Sequence, residues 1–544
     1  MKNRPYPLNV VPQISNLKEM VEYCEKTYKN ATAFQFEKNN KKIKISFEQF
    51  HQDITTLGTI LYSMRLKQNN IALIGENSYE WIVSYFATVN GGNIIVPINH
   101  GISEDELISL LLELNISTIF VSDKFMNIVQ KIKKCTGLQT IICMEQDIPT
   151  LLSQGATLLD RGERSFIDYS VQEDVCCTIL YTSGTAGKPK GVMLSHKNIV
   201  SDTIASIKNV YFAGTSILVL PLYHSFAFTA SVLCILISGR TISINQNLKN
   251  LRNDFNNYQP QNLILVPMIV ESLYKQIWMQ AKKNRKDCLL HCLIMLSNCL
   301  LKLRIDLRKK LFSSIHNSFG GKLDFIISGG APIPNKYVKG FRDFGIQILN
   351  GYGITECSPV LAVNRNNYFR DYSVGQVLDG IHLKIIDGEI LVKGDVVTTG
   401  YYNNVQETSL AFQDGWFNTG DLGYLDNNGF LYITGRRKNL IILSDGKNVS
   451  PEELEDHFYR LDYVKEVIVY QKGEHIEAEV YIGEDRSQCN DSQIKQDLKM
   501  INNQLPKHKN ISKVIIRQTE FPKTSTKKIR RITSNATTGN NEQT

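Results

Sequence analysis

From about residue 30 to residue 350, short apolar runs alternate with stretches whose apolar positions recur every three or four residues. The runs at residues 70–75, 93–97, 117–122, 216–221 and 262–267 are apolar almost throughout, which is the pattern of strands covered on both faces. Between two of them, Ser103 stands three residues before Glu106, a capping-box spacing that predicts a helix running through Asn115. Such strands separated by helices imply an α/β fold built on mostly parallel sheets flanked by helices. After about residue 375 the rhythm changes. Residues 381–393 alternate about Asp387-Gly388, a hairpin signal, and Asn427-Asn-Gly429 marks a second turn, so a more antiparallel β subdomain is expected there. Beyond Gly435-Arg-Arg-Lys438, strands are expected near residues 464–470, 477–482 and 511–517, and helices near 451–461 and 491–505. The predicted organisation is a large domain over residues 1–434, a connection at 435–438, a small α+β domain over 439–533 and a polar, disordered tail at 534–544.

Composition narrows this picture modestly. A chain of 544 residues exceeds one typical core, which agrees with two domains. Hydrophobic residues at 42% and charged residues at 21% are ordinary for a globular protein. The net charge of +8 gathers in clusters such as Lys282-Lys-Asn-Arg-Lys286 and Lys527-Lys-Ile-Arg-Arg531, and no nucleic-acid-binding module accompanies them. The first residues lack the apolar core of a secretory signal, and the 11 cysteines are scattered without a CxxC pair. Both features point to reduced thiols in a cytoplasm and make the sequon at Asn535 a chance match. The stretch from Cys288 to Ile305 is apolar but interrupted by His291, Asn298, Lys302 and Arg304, and short for a membrane span. Cys288, Cys292, Cys299 and His291 fall at helical spacing within it. A metal site there is the minor reading and an apolar helix the main one.

The chemistry begins at Tyr181-Thr-Ser-Gly-Thr-Ala-Gly-Lys-Pro-Lys-Gly191, which follows the strand pattern Cys176-Cys-Thr-Ile-Leu180. Its glycines, hydroxyls and lysines suit a loop that turns backbone N–H groups and positive charge toward phosphate oxygens. It is not a Walker A loop, because Thr182 stands where the first Gly belongs and Pro189 follows Lys188. Three more segments carry useful groups. Asn350-Gly-Tyr-Gly-Ile-Thr-Glu-Cys-Ser358 offers a hydroxyl at Thr355 and, at Glu356, the kind of carboxylate a nucleotide-bound Mg²⁺ uses. Asp414-Gly-Trp-Phe-Asn-Thr-Gly-Asp-Leu-Gly423 places Asp421 where a carboxylate accepts ribose hydroxyls, with Arg436 as a second candidate for ribose or phosphate. Phe521-Pro-Lys-Thr-Ser-Thr-Lys-Lys-Ile-Arg-Arg531 is a basic loop. Each segment taken singly also fits an ordinary turn or a solvated surface.

Together, and in this order, the segments resemble the adenylate-forming superfamily of acyl-CoA synthetases, peptide-synthetase adenylation domains and firefly luciferases, over about residues 15–531. The resemblance implies that Thr182, Ser183, Gly184, Thr185, Gly187 and Lys190 form the phosphate loop. Thr355 would contact phosphate, and Glu356 would hold Mg²⁺. Gly351, Tyr352 and Gly353 would lie along the adenine, while Asp421 and Arg436 would bind the ribose. Lys438 would be the hinge, and Lys528 the catalytic lysine. His224 would stand at the acyl site, and the loop with Gly446 would line a pantetheine channel. Two positions depart from the family pattern: Gly435 replaces the usual Asp, and Lys527 replaces the Gly before the lysine. Spacing from Pro522 assigns the role to Lys528.

The implied reaction joins a carboxylic acid to ATP, releases pyrophosphate and passes the acyl group to coenzyme A. Residues 288–322 resemble the insertion of long-chain fatty acyl-CoA synthetases, so a medium- or long-chain fatty acid is expected, as is a peripheral membrane contact through the helix near residues 289–305. Other readings stay open: an acyl carrier protein as acceptor, an aryl or amino acid as substrate, and a nucleotide-binding module without turnover.

Overall fold

The computed structural model describes residues 7–39, 41–182, 189–245, 247–443, 446–461, 463–483, 491–523, 529 and 531. Two large sheets carry the main body. In the nine-stranded sheet, six neighbouring strands run parallel: Gln347–Gly353, Phe325–Ser328, Asn262–Leu265, Thr215–Leu218, Thr241–Ile244 and Thr32–Lys38. Antiparallel strands close both of its edges. The seven-stranded sheet has a parallel core of Cys176–Thr182, Ile94–Pro97, Asn70–Ile74, Thr118–Val121 and Thr140–Cys143, extended on one side by the antiparallel strands Lys190–Ser195 and Gly400–Tyr401. All five strands read from apolar runs are present, with ends displaced by at most three residues, and the expectation of mostly parallel sheets holds.

Local chemistry explains how the helices start. Ser103 and Glu106 form the expected capping box at the head of Glu104–Glu113. A second box, Ser195 with Asn198, starts His196–Asn209 and had no counterpart in the sequence reading. The helix Tyr79–Asn90, capped by Ser78, is buried along its whole length between the layers. Around it lies the largest core, with Phe34, Phe50, Trp81, Tyr85, Phe86 and Phe228 in edge, tilted and stacked contacts.

The predicted antiparallel subdomain is a five-stranded sheet. Its hairpin His382–Ile386/Glu389–Lys393 turns at Asp387 (φ 50°) and Gly388 (φ 81°), the left-handed pair that a tight two-residue hairpin demands. Trp416–Leu425 pairs with Leu431–Arg436 across the turn containing Gly429. Beyond it, Glu466–Lys472, His475–Tyr481 and Ile511–Arg517 form a three-stranded sheet, with the helices Pro451–Tyr459 and Asp491–Gln504 alongside in sequence. Their apolar side chains make a separate core, drawn entirely from residues 441–516.

The Cys288–Ile305 stretch forms the helix Asp287–Lys302, and among the described residues no helix is long and apolar enough to cross a membrane. Its thiols Cys288, Cys292 and Cys299 are exposed. Among the described residues, the group of three potential metal ligands within reach of one another lies elsewhere, at Asp123, Cys143 and Glu145.

Candidate active site

The C-terminal ends of the two parallel sheets, where open α/β folds bind ligands, bring most of the described candidates together. Thr182 and Lys190 face each other in register on adjacent antiparallel strands, so they hold the two ends of the phosphate-loop motif side by side. Ser183, Gly184, Thr185 and Gly187 lie outside the described residues. The Lys190 ammonium pairs with Glu407 at 2.5 Å and sits 5.1 Å over the ring of Tyr401. The Tyr401 hydroxyl in turn donates to Glu356 Oε1 at 3.0 Å. Burial and the neighbouring Glu356 push the Tyr401 phenol well up, so it remains a donor.

Glu356 stands in the short turn Thr355–Cys357 directly after the strand Gln347–Gly353. Its backbone carbonyl is fixed by the Thr398 N–H at 2.8 Å, while its side chain stays half-buried. The Thr355 hydroxyl lies 3.4 Å from Ser225 Oγ, which reaches it from the helix Ser225–Phe228. His224 precedes that helix as its cap residue, with its ring 4.3 Å from Tyr223; Tyr223 packs at 5.0 Å on His100. Ser225 also lines a narrow cleft, together with Tyr85, Leu180, Leu194, Leu222 and Phe228.

On the opposite side, the register of Trp416–Leu425 with Leu431–Arg436 sets Asp421 against Arg436. Asp421 is only 3% exposed. Its Oδ1 receives Arg436 Nε at 2.9 Å and its Oδ2 the Tyr352 hydroxyl at 2.7 Å. Burial and then the Asp421 charge hold the Tyr352 phenol well above its ordinary range, so it too stays a donor. Gly351 and Gly353 flank Tyr352. A Cβ at Gly353 would fall 1.9 Å from the Pro359 carbonyl, so only glycine lets the chain pass here. Two polar atoms at neighbouring strand ends, Ser328 Oγ and Asn350 Oδ1, are buried without a protein partner, and Ser328 pairs with Asn350 in register.

Lys438 lies in the turn Arg437–Asn439 just beyond this strand, and burial followed by Arg436 lowers its pKa. Arg437 pairs with Glu389. The departure at Gly435 has a structural reason. Its φ is +155°, and a Cβ would stand 2.3 Å from Ser450 Oγ and 2.8 Å from Glu452 Oε2, so aspartate does not fit. Gly446, at φ +79°, has open space where a side chain would point. Lys527 and Lys528 lie outside the described residues. The bases of their loop are tied: Lys523 bridges Ile529 in antiparallel fashion and pairs with Glu466 at 2.5 Å, and Arg531 pairs with Glu455 at 2.5 Å. Burial nevertheless pushes Glu455 up to about 7, with Arg531 pulling the other way.

Tyr401, Glu407 and Ser225 escaped the sequence reading. They are ordinary residues in their local context and join the site only through partners 45, 217 and 130 residues away.

A family model described as AMP-binding enzyme matches residues 21–402. The chain is 29% identical over 424 residues to a long-chain-fatty-acid–CoA ligase of Mycobacterium tuberculosis, covering 74% of this chain and 70% of that one. It is 28% identical over 516 residues to a chloroplastic long-chain-fatty-acid–[acyl-carrier-protein] ligase of Arabidopsis thaliana, covering 78% and 70%. Among solved structures, an anthranilate–CoA ligase in complex with anthranoyl-AMP superposes with a TM-score of 0.78 at 19% identity, covering 96% of each chain. The o-succinylbenzoate–CoA synthetase of Bacillus subtilis in complex with ATP and magnesium superposes with 0.73 at 22% identity, covering 94% of this chain and 98% of that one.

Proposed function

Because the chain belongs to the AMP-binding enzyme family, we propose that it activates a medium- or long-chain fatty acid with ATP to an acyl-adenylate, releases pyrophosphate, and forms a thioester with coenzyme A. The observation that carries this reading is the pair of carboxylates Asp421 and Glu356, held on two sides of one strand end by Tyr352 and Tyr401.

Each group has work in that reaction. An ionised carboxylate is an acceptor with more than one lone-pair direction, so Asp421 accepts ribose hydroxyls while Arg436 and Tyr352 hold its orientation. Ser328 and Asn350, with their unpartnered oxygens, supply acceptors near the adenine end. Glu356 and Thr355 present hard oxygen donors, the donor set that suits Mg²⁺. When bound, Mg²⁺ neutralises phosphate charge and orients the triphosphate. Lys190 and the loop with Thr182, Ser183, Gly184, Thr185 and Gly187 bind phosphate. Lys190 must exchange Glu407 for a phosphate oxygen to do so. Lys528 draws the acid's carboxylate to the α-phosphorus and stabilises the charge gathering there. The cleft lined in part by Ser225, next in sequence to His224, receives the start of the acyl chain. We assign residues 1–434 to the adenylating domain, 435–438 to a hinge pivoting at Lys438, 439–533 to the mobile small domain and 534–544 to a tail. The separate core of residues 441–516 supports that division. Rotation brings the loop with Gly446 to the coenzyme A channel.

The fatty acid is supported by the names of the relatives, and the plant relative that acylates a carrier protein keeps such a protein as a second acceptor. Pyrophosphate release measured with MgATP and acids from acetate to palmitate, plus benzoates and amino acids, tests the proposal. Release with a fatty acid and turnover on adding coenzyme A are expected. Release held to one enzyme equivalent until an acyl carrier protein is added establishes the second acceptor. A Lys528→Ala variant is expected to lose adenylate formation and keep ATP binding; unchanged formation sinks the lysine's role.

A further inference from the structure

Helices of globular proteins usually turn a polar face outward, but the helix Asp287–Lys302 does not. Its inner face seats Leu290 in a core that includes Phe312, Phe341 and Phe344, with Leu293 and Ile294 packed against it and Ser297 buried. Its outer face carries Cys288, Leu289, Cys292, Met295, Leu296 and Cys299, spaced so that they form one stripe, and Leu303 extends it. Leu289 is 54% exposed, Met295 63%, Leu296 50% and Leu303 70%. No hydroxyl, amide or carboxylate interrupts this stripe, because Ser297 is buried and Asn298 is turned partly inward. At 1.5 Å per residue it runs about 24 Å.

Charge frames the stripe. Residues 282–310 hold nine Lys or Arg against two Asp. Lys282, Lys283, Arg285 and Lys286 are exposed at one end, and Lys302, Arg304, Lys309 and Lys310 at the other. One acid, Asp306, is engaged by Arg308 at 2.7 Å. An apolar ridge between two basic clusters matches a surface that is apolar beneath and anionic above. We propose that this face docks onto an anionic lipid bilayer, with the helix lying in the plane of the interface, its Leu and Met side chains among the acyl chains and its basic ends at the phosphates. Two copies of the same face repel by charge, and a stripe whose polar groups are thiols with His291 at its flank gives a folded partner protein little to read. The proposal is independent of which acid the enzyme activates, since it concerns binding without turnover.

The test is flotation of the full chain with phosphatidylcholine vesicles and with vesicles that also contain phosphatidylglycerol. The wild type is expected to float with the anionic vesicles alone. A Leu289→Glu/Leu296→Glu/Leu303→Glu variant is expected to stay at the bottom. A Lys282→Gln/Lys283→Gln/Lys302→Gln/Arg304→Gln variant is expected to partition up to about a thousandfold more weakly. A second readout needs no variant: anionic vesicles slow alkylation of Cys292 and Cys299 by a water-soluble maleimide, while exposed Cys135 reacts as before. Absence of flotation with anionic vesicles overturns the proposal, and so does equal flotation of the wild type and the Glu variant. Protection of Cys292 in a lipid-free dimer, or by an acyl carrier protein and not by vesicles, overturns it in favour of that occupant.

Discussion

The two carboxylates at the heart of the site are held in opposite ways. Asp421 is buried, bonded by the Arg436 guanidinium and the Tyr352 phenol among its partners, and fixed by strand register. Glu356 is half-buried in a one-turn segment, and among the described residues the Tyr401 phenol bonds its side chain. The difference suits the two tasks proposed for them. A ligand of fixed shape such as a ribose is met by an acceptor whose direction is set beforehand, which spares the ordering cost on binding. A cation that arrives with phosphates and water needs a carboxylate that can give up a weak partner, and a half-exposed one loses less by doing so.

This contrast can be broken most strongly at Glu356. Glu356→Gln is expected to lower kcat/KM about 10²- to 10³-fold and to raise the Mg²⁺ concentration needed for half activity, while urea stability changes by under about 0.5 kcal/mol. An unaltered Mg²⁺ requirement sinks the assignment. Asp421→Asn is expected to do the reverse. It weakens a charged hydrogen bond in a buried place, costing about 2 kcal/mol of stability and a tenfold or greater loss of ATP affinity by calorimetry, because Arg436 loses its anion. Equal stability losses at the two positions would erase the distinction.

The phenols sharpen it further. Tyr352→Phe is expected to weaken ATP binding by about 1 kcal/mol, and Tyr401→Phe to leave it nearly unchanged while easing the Mg²⁺ requirement. The smallest effect is in pH. Both phenols are raised above the ordinary value of 10.0, by burial first and by the facing carboxylate second. The stability they contribute is therefore present in full below pH 10 and declines only as pH climbs toward their folded-state values. Spectrophotometric titration should show no difference between wild type and Tyr352→Phe up to pH 10; a phenolate signal lost in the variant counts against a buried donor.

Much of this was legible in one dimension because its causes are local. A capping box needs two side chains three residues apart, and Ser103 with Glu106 supplies them. A tight hairpin needs two left-handed residues, and Asp387-Gly388 supplies those. The site motifs are equally local: Glu356 stands in the turn that follows a glycine-bearing strand end, and Asp421 follows Gly420 within the strand Trp416–Leu425. The residues that tune those carboxylates carry no such signal, since Tyr401 and Ser225 look like any tyrosine or serine in a short strand or short helix. Gly435 read as a loss from the family pattern until Ser450 and Glu452 were found where its side chain would be.

The sequence by itself determined the alternation of strands and helices, the turns and the order of the chemical groups, because these follow from periodicity and backbone preference over a few residues. The tertiary structure alone decided which groups meet and which faces stay open. Tyr79–Asn90 and Asp287–Lys302 are both largely apolar helices, yet one is sealed in the core and the other leaves a stripe bare. Hydrophobicity favours covering an apolar face and does not say with what. The answer depends on packing between segments far apart in the chain.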